Sequence, residues 1–481
     1  MRRSSTQGWV RQLRSMGVAL ATLTFAAMTV GCLTRIATDD VPVAARKRVD
    51  TTSAEYAAIE VPKDVPERAR DLMKAPIELV PFNDFIFMAR GVGNVFLIRT
   101  DEGNVIYDTG VSWQAEQQRD LLLAVGHEKT THVIVSHAHG DHNGGLDAWK
   151  QALDEGAELI AHERYAYTNK IYGDTDEYLW RVRTGTLYPS HSAAQVSTFR
   201  SYVPTRTVDV HEDQVFELGG VRFQLIAAEN SAEGEDALLL WLPDHGIVLT
   251  GDFYGCLYPM VPNLYTVRGE KTRDPIGYVH ALDRLIELEP TAILPAHFDP
   301  IVGQAYLRKS LQVMRDGVQY VYDETVAGMN AGKSVYELME SVRLPPELEI
   351  SQGHGKVSWN VRAIWELLAG WFYYEDVADL YHVPARQVYP DLVELVGGPE
   401  RLVDRARSRF EAGQSLRALR LLDVAKAAGE ESVEGLRLRI AIHQGMLARS
   451  VATHDNMSES GVLRAFLEQA RRELSARGEE R

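Results

Sequence analysis

The sequence predicts an α/β chain: two β-sheets packed face to face with helices outside them, an αββα sandwich, followed by an all-α region. Three observations carry this expectation. Two sets of short β-patterned runs, within 85–161 and 214–294, are each flanked by stretches of helical spacing. After about Ala305 the pattern changes to amphipathic helices broken at Gly, Pro-Pro and Gly-Gly. The 481 residues are 45% hydrophobic and 25% charged, which excludes wholesale disorder and leaves room for a large domain plus a second unit.

The first stretch lies outside this fold. Residues 1–31 carry Arg2, Arg3, Arg11 and Arg14, then an uncharged apolar run from Met16 to Gly31, the layout of a secretory signal peptide. Gly31-Cys32 resembles a bacterial lipobox, so Cys32 is expected either to become a lipidated N-terminus or to be left by simple cleavage. The run is too short for a confident membrane span, and nothing later is long and apolar enough to be one. The expected location is across the inner membrane, either periplasmic or as an outer-membrane or cell-surface lipoprotein. Residues 32–79 read as a polar tether with one helix at Pro66–Lys74.

From Asp84 the β runs begin. Phe85–Ala89, Asn94–Arg99 and Val105–Asp108 are strand-like, with Asp101-Glu102-Gly103-Asn104 as the turn between the last two. Trp113–Val125 has helical spacing, and His132–Ser136 is a buried-strand run that ends at a His-rich loop. Leu146–Leu153 reads as helix and Glu158–Ala161 as strand; residues 165–205, aromatic and polar without a clean period, read as an irregular excursion. The second set is Gln214–Leu218, Val221–Ala227, Ala237–Leu242 and Ile247–Thr250, then a helix at Ile276–Leu288 and a strand at Ala292–Leu294. Beyond it, Leu307–Met329, Val335–Val342, Val357–Phe372 and Leu402–Ala412 are amphipathic helices. Arg405 to about Arg472 looks like helix pairs of a tetratricopeptide-like kind, with one unit visible at Ala406, Phe410, Gly413, Ala418, Leu421 and Ala425.

A net charge of −16 argues against a nucleic-acid surface, and two cysteines cannot make a disulfide framework or a Cys-rich zinc site. A metal site must therefore use His and carboxylates. His137-Ala138-His139-Gly140-Asp141-His142 supplies four such ligands in six residues, directly after a strand. The i, i+2 spacing puts His137 and His139 on one side of an extended segment, while Asp141 and His142 turn toward a neighbouring position. Such a loop can serve two metals.

This hexad resembles the signature of the metallo-β-lactamase superfamily, whose fold is the αββα sandwich inferred above. The resemblance covers about 80–303 and implies further ligands: Asp252 in Leu249-Thr250-Gly251-Asp252, His297 in Pro295-Ala296-His297, and Glu233 ahead of Leu242-Pro243, with Glu235 as a rival. Glu at that position is similar to the alkyl sulfatase subgroup, as is Asn263-Leu264-Tyr265-Thr266-Val267-Arg268-Gly269 followed by Arg273-Asp274. Where that subgroup has a bridging Glu, this chain has Asp252, one methylene shorter. Leu344-Pro345-Pro346, Gly370-Trp371-Phe372, Gly397-Gly398 and Phe410-Glu411-Ala412-Gly413 look like the subgroup's helical dimerisation domain, expected over 304–474 and implying a homodimer.

The resemblance implies a binuclear metallo-hydrolase, with zinc as the expected metal. His137, His139 and Glu233 would hold one cation and Asp141, His142 and His297 the other, with Asp252 between them. Asp141 and Asp252 are then the catalytic acids, positioning a hydroxide for attack on an alkyl sulfate ester. Asn263, Tyr265, Arg268 and Arg273 would bind the anionic head group, Arg offering paired donors to two oxygens. Asp108, ending a strand, is expected to orient a ligand His. The alternatives are a hydrolase of another ester or amide on the same fold (a lactonase, phosphodiesterase or β-lactamase-like enzyme) and a non-catalytic surface lipoprotein.

Overall fold

The β runs assemble into two sheets in the computed structural model, which describes residues 48–64, 72, 74–186, 200–228, 233–253, 258–271, 273–427, 429 and 431–478 (side chains of 180–186 apart). The signal peptide at 1–31, Cys32 and most of the helix expected at Pro66–Lys74 lie outside these residues. The first sheet runs β1 (Glu78–Pro81), β2 (Ile86–Arg90), β3 (Val95–Thr100), β4 (Gly103–Tyr107), β5 (Thr130–Ile134), β6 (Glu158–His162) and β7 (Arg206–Val208) in that spatial order. Its first four strands form an antiparallel meander, and β4 to β7 are parallel. The second sheet holds β8 (Gln214–Leu218), β9 (Val221–Ala227), β10 (Leu238–Leu242), β11 (Ile247–Gly251), β12 (Ala292–Pro295) and β13 (Ile301–Val302). Only β11 and β12 are parallel among its described pairs.

The pleat sends alternate side chains to opposite faces, and here both faces are covered. Met88, Phe96, Ile98 and Tyr107 of the first sheet meet Phe223, Leu225, Leu240 and Leu249 of the second. The opposite face of the first sheet buries Leu97, Ile106 and Val133 under Leu122, Leu146 and Trp149. That of the second buries Leu239, Trp241 and Ile293 under the helices at Pro275–Leu288 and Gln304–Asn330. Two-sided burial is why the parallel strands read as continuous apolar runs. The layers are helix, sheet, sheet, helix, as expected.

Several elements differ from the sequence reading. Most of the region taken as irregular, 165–205, is a helix at Tyr165–Thr186, whose buried Tyr165, Tyr172 and Leu179 recur every seventh residue. Polar residues between them dilute the period. Strands β1, β7 and β13, of four, three and two residues, are too short to leave a pattern. The helix expected at Leu146–Leu153 is a 3-10 turn, Leu146–Trp149, leading into Lys150–Asp154. Within the tether region, Ala54–Ala57 forms one helical turn.

Helices Val335–Ser341 and Val357–Ala369 extend the core of the second sheet across residue 304. Two antiparallel pairs follow: Pro399–Glu411 with Ser415–Lys426, and Val433–Thr453 with Met457–Ser475. The first is the tetratricopeptide-like unit, packed through Ala406, Ala418 and Ala425. No helix among the described residues is long and apolar enough to cross a membrane.

Candidate metal centre

The histidine-rich loop leaves β5 beside the carboxyl end of β4, where the chain turns sharply at Asp108 (φ 60°). That buried carboxylate organises the loop. Its Oδ1 accepts from the Ser136 amide (2.7 Å), and its Oδ2 from Ser136 Oγ (2.9 Å) and His142 Nδ1 (2.8 Å). Fixing Nδ1 as a donor leaves His142 Nε2 as the free lone pair, the arrangement of an oriented metal ligand. Ser136 Oγ also lies 3.0 Å from His137 Nδ1, so one aspartate steers two imidazoles.

Loops of the second sheet bring the remaining donors. Glu233 precedes β10; Asp252 follows β11; His297 follows β12, the parallel neighbour of β11. Gly251 turns into Asp252 with φ 54°, and a Cβ there would stand 2.4 Å from Ser136 Oγ, so only glycine permits this approach. Asp236 ties the sheets together: its Oδ2 accepts from the Ala138 amide at 2.9 Å.

All seven expected ligands fall into two groups. His137, His139 and Glu233 offer donor atoms within 4.8 Å of one another, as do Asp141, His142, Asp252 and His297. His137 Nε2 and His139 Nδ1 converge to 2.8 Å, and Glu233 Oε2 is 3.9 Å from the latter. His297 Nε2 is 3.0 Å from Asp252 and 3.5 Å from Asp141; His142 Nε2 is 3.5 Å and 3.6 Å from the same two carboxylates. The rival Glu235 points elsewhere, paired with Arg164 and Lys271.

These residues fit divalent cations. His142 Nε2 is buried with no hydrogen-bond partner among the described residues, and imidazole and carboxylate donors without thiolate suit zinc-like ions. Burial pushes the Glu233 carboxyl up to about 7 despite Arg273 beside it, and pushes His137 well below its ordinary value. Burial also opposes charge on His142, but Asp141, Asp252 and Asp108 outweigh it and drive its pKa well up.

The expected anion-binding residues divide. Arg268, 19% exposed, keeps Nη2 3.3 Å from Glu270 and 4.0 Å from Glu233, at the rim of the first group. Arg273 is a different case: buried, it spans Glu233 (2.9 Å), Glu270 (2.8 Å) and the Asn263 carbonyl (3.0 Å). Its described donors hold protein groups, Glu233 among them. Tyr265 also departs from expectation, its hydroxyl donating to Glu366 on the helix at Val357–Ala369 (2.7 Å). Asn263 is buried, with Nδ2 3.3 Å from His354 Nε2.

Glu270, Tyr172 and His354 were missed in the sequence. Glu270 lies 3.5 Å and the Tyr172 hydroxyl 3.2 Å from His139 Nε2. His354 comes from the helical region; burial and the charges of Arg268 and Arg273 push it down to about 3. Its Nδ1 and Asn263 Oδ1 are buried without a hydrogen-bond partner among the described residues. The available signal was Gly353-His354-Gly355, a histidine between two small residues.

Residues 88–297 match the metallo-beta-lactamase superfamily and residues 334–476 the alkyl sulfatase dimerisation family. A linear primary-alkylsulfatase of Pseudomonas sp. (strain ATCC 19151) is 28% identical over 348 residues, covering 66% of this chain and 63% of that protein. An alkyl/aryl-sulfatase of Saccharomyces cerevisiae is 25% identical over 368 residues, covering 70% and 55%. The chain thus spans less than two thirds of either relative's length. A solved stereoselective inverting sec-alkylsulfatase from Pseudomonas sp. superposes with a TM-score of 0.70 at 20% identity, over 84% of this chain and 66% of that one. This chain therefore joins a metallo-beta-lactamase superfamily domain to an alkyl sulfatase dimerisation domain.

Proposed function

We propose that the chain is a metal-dependent hydrolase of alkyl sulfate esters. The observation that carries this reading is the position of Arg268, at the rim of the Glu233 group and with its charge reaching the buried His354. A cation site flanked by a guanidinium and by His354, whose Nε2 lies against the Asn263 amide so that Nδ1 is free to donate, suits an ester whose leaving or retained group is an anion.

His137, His139 and Glu233 would hold one divalent ion and Asp141, His142 and His297 the other, zinc being the proposed metal. Asp252 groups with the second set, and its charge also reaches His137, which supports a place between the two. Such ions supply a Lewis acid and a water acidified for attack near neutral pH. The protein's own part is positional. Asp108 keeps His142 in the ligand tautomer, Arg273 favours the ionised form of Glu233 against its burial, and Arg268 orients two sulfate oxygens. His354, neutral near pH 7, offers an N–H without adding charge.

A panel of alkyl sulfates, phosphate esters and lactones, assayed with and without a chelator, tests this. Chelator-sensitive turnover of the sulfates is expected; lactone or phosphate turnover without sulfate turnover refutes it. Metal content of the purified protein tests for two zinc ions per chain.

Two further parts of the reading concern assembly and location. A homodimer is supported by the dimerisation match and by Trp371, Tyr374, Val377, Leu380, Tyr381 and Leu395, all large, apolar and more than half exposed. Export is supported by the signal pattern at 1–31, with Cys32 as lipid acceptor and a periplasmic or outer-membrane home. Loss of fatty-acid labelling in Cys32→Ser tests the anchor.

A further inference from the structure

His354 reaches the centre on a short connection, 351–356, whose order is imposed from outside. One side is held by the segment that carries Asn263. The Val261 amide donates to the Ser351 carbonyl (2.8 Å) and the Gly355 amide to the Val261 carbonyl (3.2 Å). The approach is close: a Cβ at Gly355 would lie 2.0 Å from the Pro262 oxygen.

The other side is held from a hundred residues away. Asn456 is fully buried, and its Nδ2 donates to the carbonyls of Gln352 (2.7 Å) and His354 (2.9 Å), with that of Gly355 at 3.5 Å. The Met457 amide donates to the Gly353 carbonyl (2.8 Å), and Lys356 pairs with Glu459 (2.8 Å). Asn456 is also the N-cap of the last helix, Met457–Ser475, its Oδ1 accepting from the Glu459 amide at 2.9 Å. Capping alone does not explain asparagine, since Asp or Ser caps as well. What asparagine adds is a donor pair facing a row of carbonyl oxygens, which an ionised aspartate would repel.

We propose that Asn456 is a positioning residue: it clamps the connection that presents His354, making the last helix of the chain part of the apparatus of the metal centre. The consequence for turnover rests on the function proposed above; the clamp itself does not.

The test uses the full chain with Asn456→Asp and Asn456→Ser. Both keep a capping oxygen and lose the amide donors, and the serine variant adds no repulsion should the aspartate variant fail to fold. Hydrogen exchange read by mass spectrometry is expected to quicken about tenfold or more in 351–356, the effect of losing a buried hydrogen bond, with the helix at Gln304–Asn330 unchanged. On a medium-chain alkyl sulfate, kcat/KM should fall while metal content holds. His354→Ala placed on Asn456→Ser should then cost less than it does in the wild type, because both changes act through one imidazole. Unchanged exchange in 351–356 overturns the clamp. Fully additive losses in kcat/KM overturn its link to His354. A wild type inert on every alkyl sulfate counts against the sulfatase reading alone, and the exchange measurement then decides the clamp.

Discussion

Arg268 and Arg273, five positions apart in the chain, should respond very differently to removal. Arg273, 3% exposed, lies between the buried carboxylates of Glu233 and Glu270 at 2.9 Å and 2.8 Å. Arg273→Ala removes the nearer cation from both buried carboxylates and leaves only the longer contacts to Arg268. Breaking a buried pair from one side costs about 3–5 kcal/mol. For a domain of about 200 residues that lowers the melting temperature by roughly 6–20 °C. Arg268, with its longer contacts of 3.3 Å and 4.0 Å and its partial exposure, should cost on the order of 1 kcal/mol. The assay is thermal unfolding in chelator, paired with alkyl sulfate kinetics in the metal-loaded protein. Arg268→Ala is expected to melt near the wild type yet lose sulfate turnover; Arg273→Ala should melt early. An Arg273→Ala protein as stable as the wild type, with turnover lost, would show that this guanidinium binds substrate after all.

Asp108→Asn should weaken metal binding by about 10–100-fold in chelator competition, because His142 and Ser136 lose the carboxylate that orients them. The burial-raised Glu233, at about 7 against its ordinary 4.5, gives a pH signature in the metal-free protein. The folded state binds the extra proton, so this stabilisation is full below about 4.5 and is lost as pH rises through about 7. Urea titrations should show wild type losing stability relative to Glu233→Gln over that window, and a flat difference would exclude it. Trp371→Asp combined with Leu395→Asp should shift the protein toward monomer in light scattering while leaving metal content unchanged, since both side chains are exposed in the single chain, at 67% and 81%.

What the sequence disclosed, and what it withheld, follows from how local each signal is. The hexad is legible because four donors sit within six residues, and β8 and β9 were read to the residue because a Gly-Gly turn separates two alternating runs. Glu233 against Glu235 could not be resolved by counting. Two residues of spacing leave both on the same side of an extended segment, and the difference appears only when Arg164 and Lys271 take Glu235 outward. Arg273 was legible as an arginine near the site but not as a buried one, because its partner Glu270 carries no pattern of its own. His354 was invisible for a related reason: 57 positions of helix and turn separate it from His297, and only tertiary folding sets it beside Asn263.

The two donor groups draw on both halves of the sandwich, the hexad from the first sheet and Glu233, Asp252 and His297 from the second. Bound cations would therefore act as rivets through the seam, joining positions 137 to 297 where, among the described residues, no strand of one sheet pairs with a strand of the other and only single backbone links such as Leu238 N–H to the Ser136 carbonyl (2.8 Å) cross. Stripping them should leave each sheet's own ladder intact and loosen the pair, so limited proteolysis of chelated protein should first nick the loops that bridge the seam.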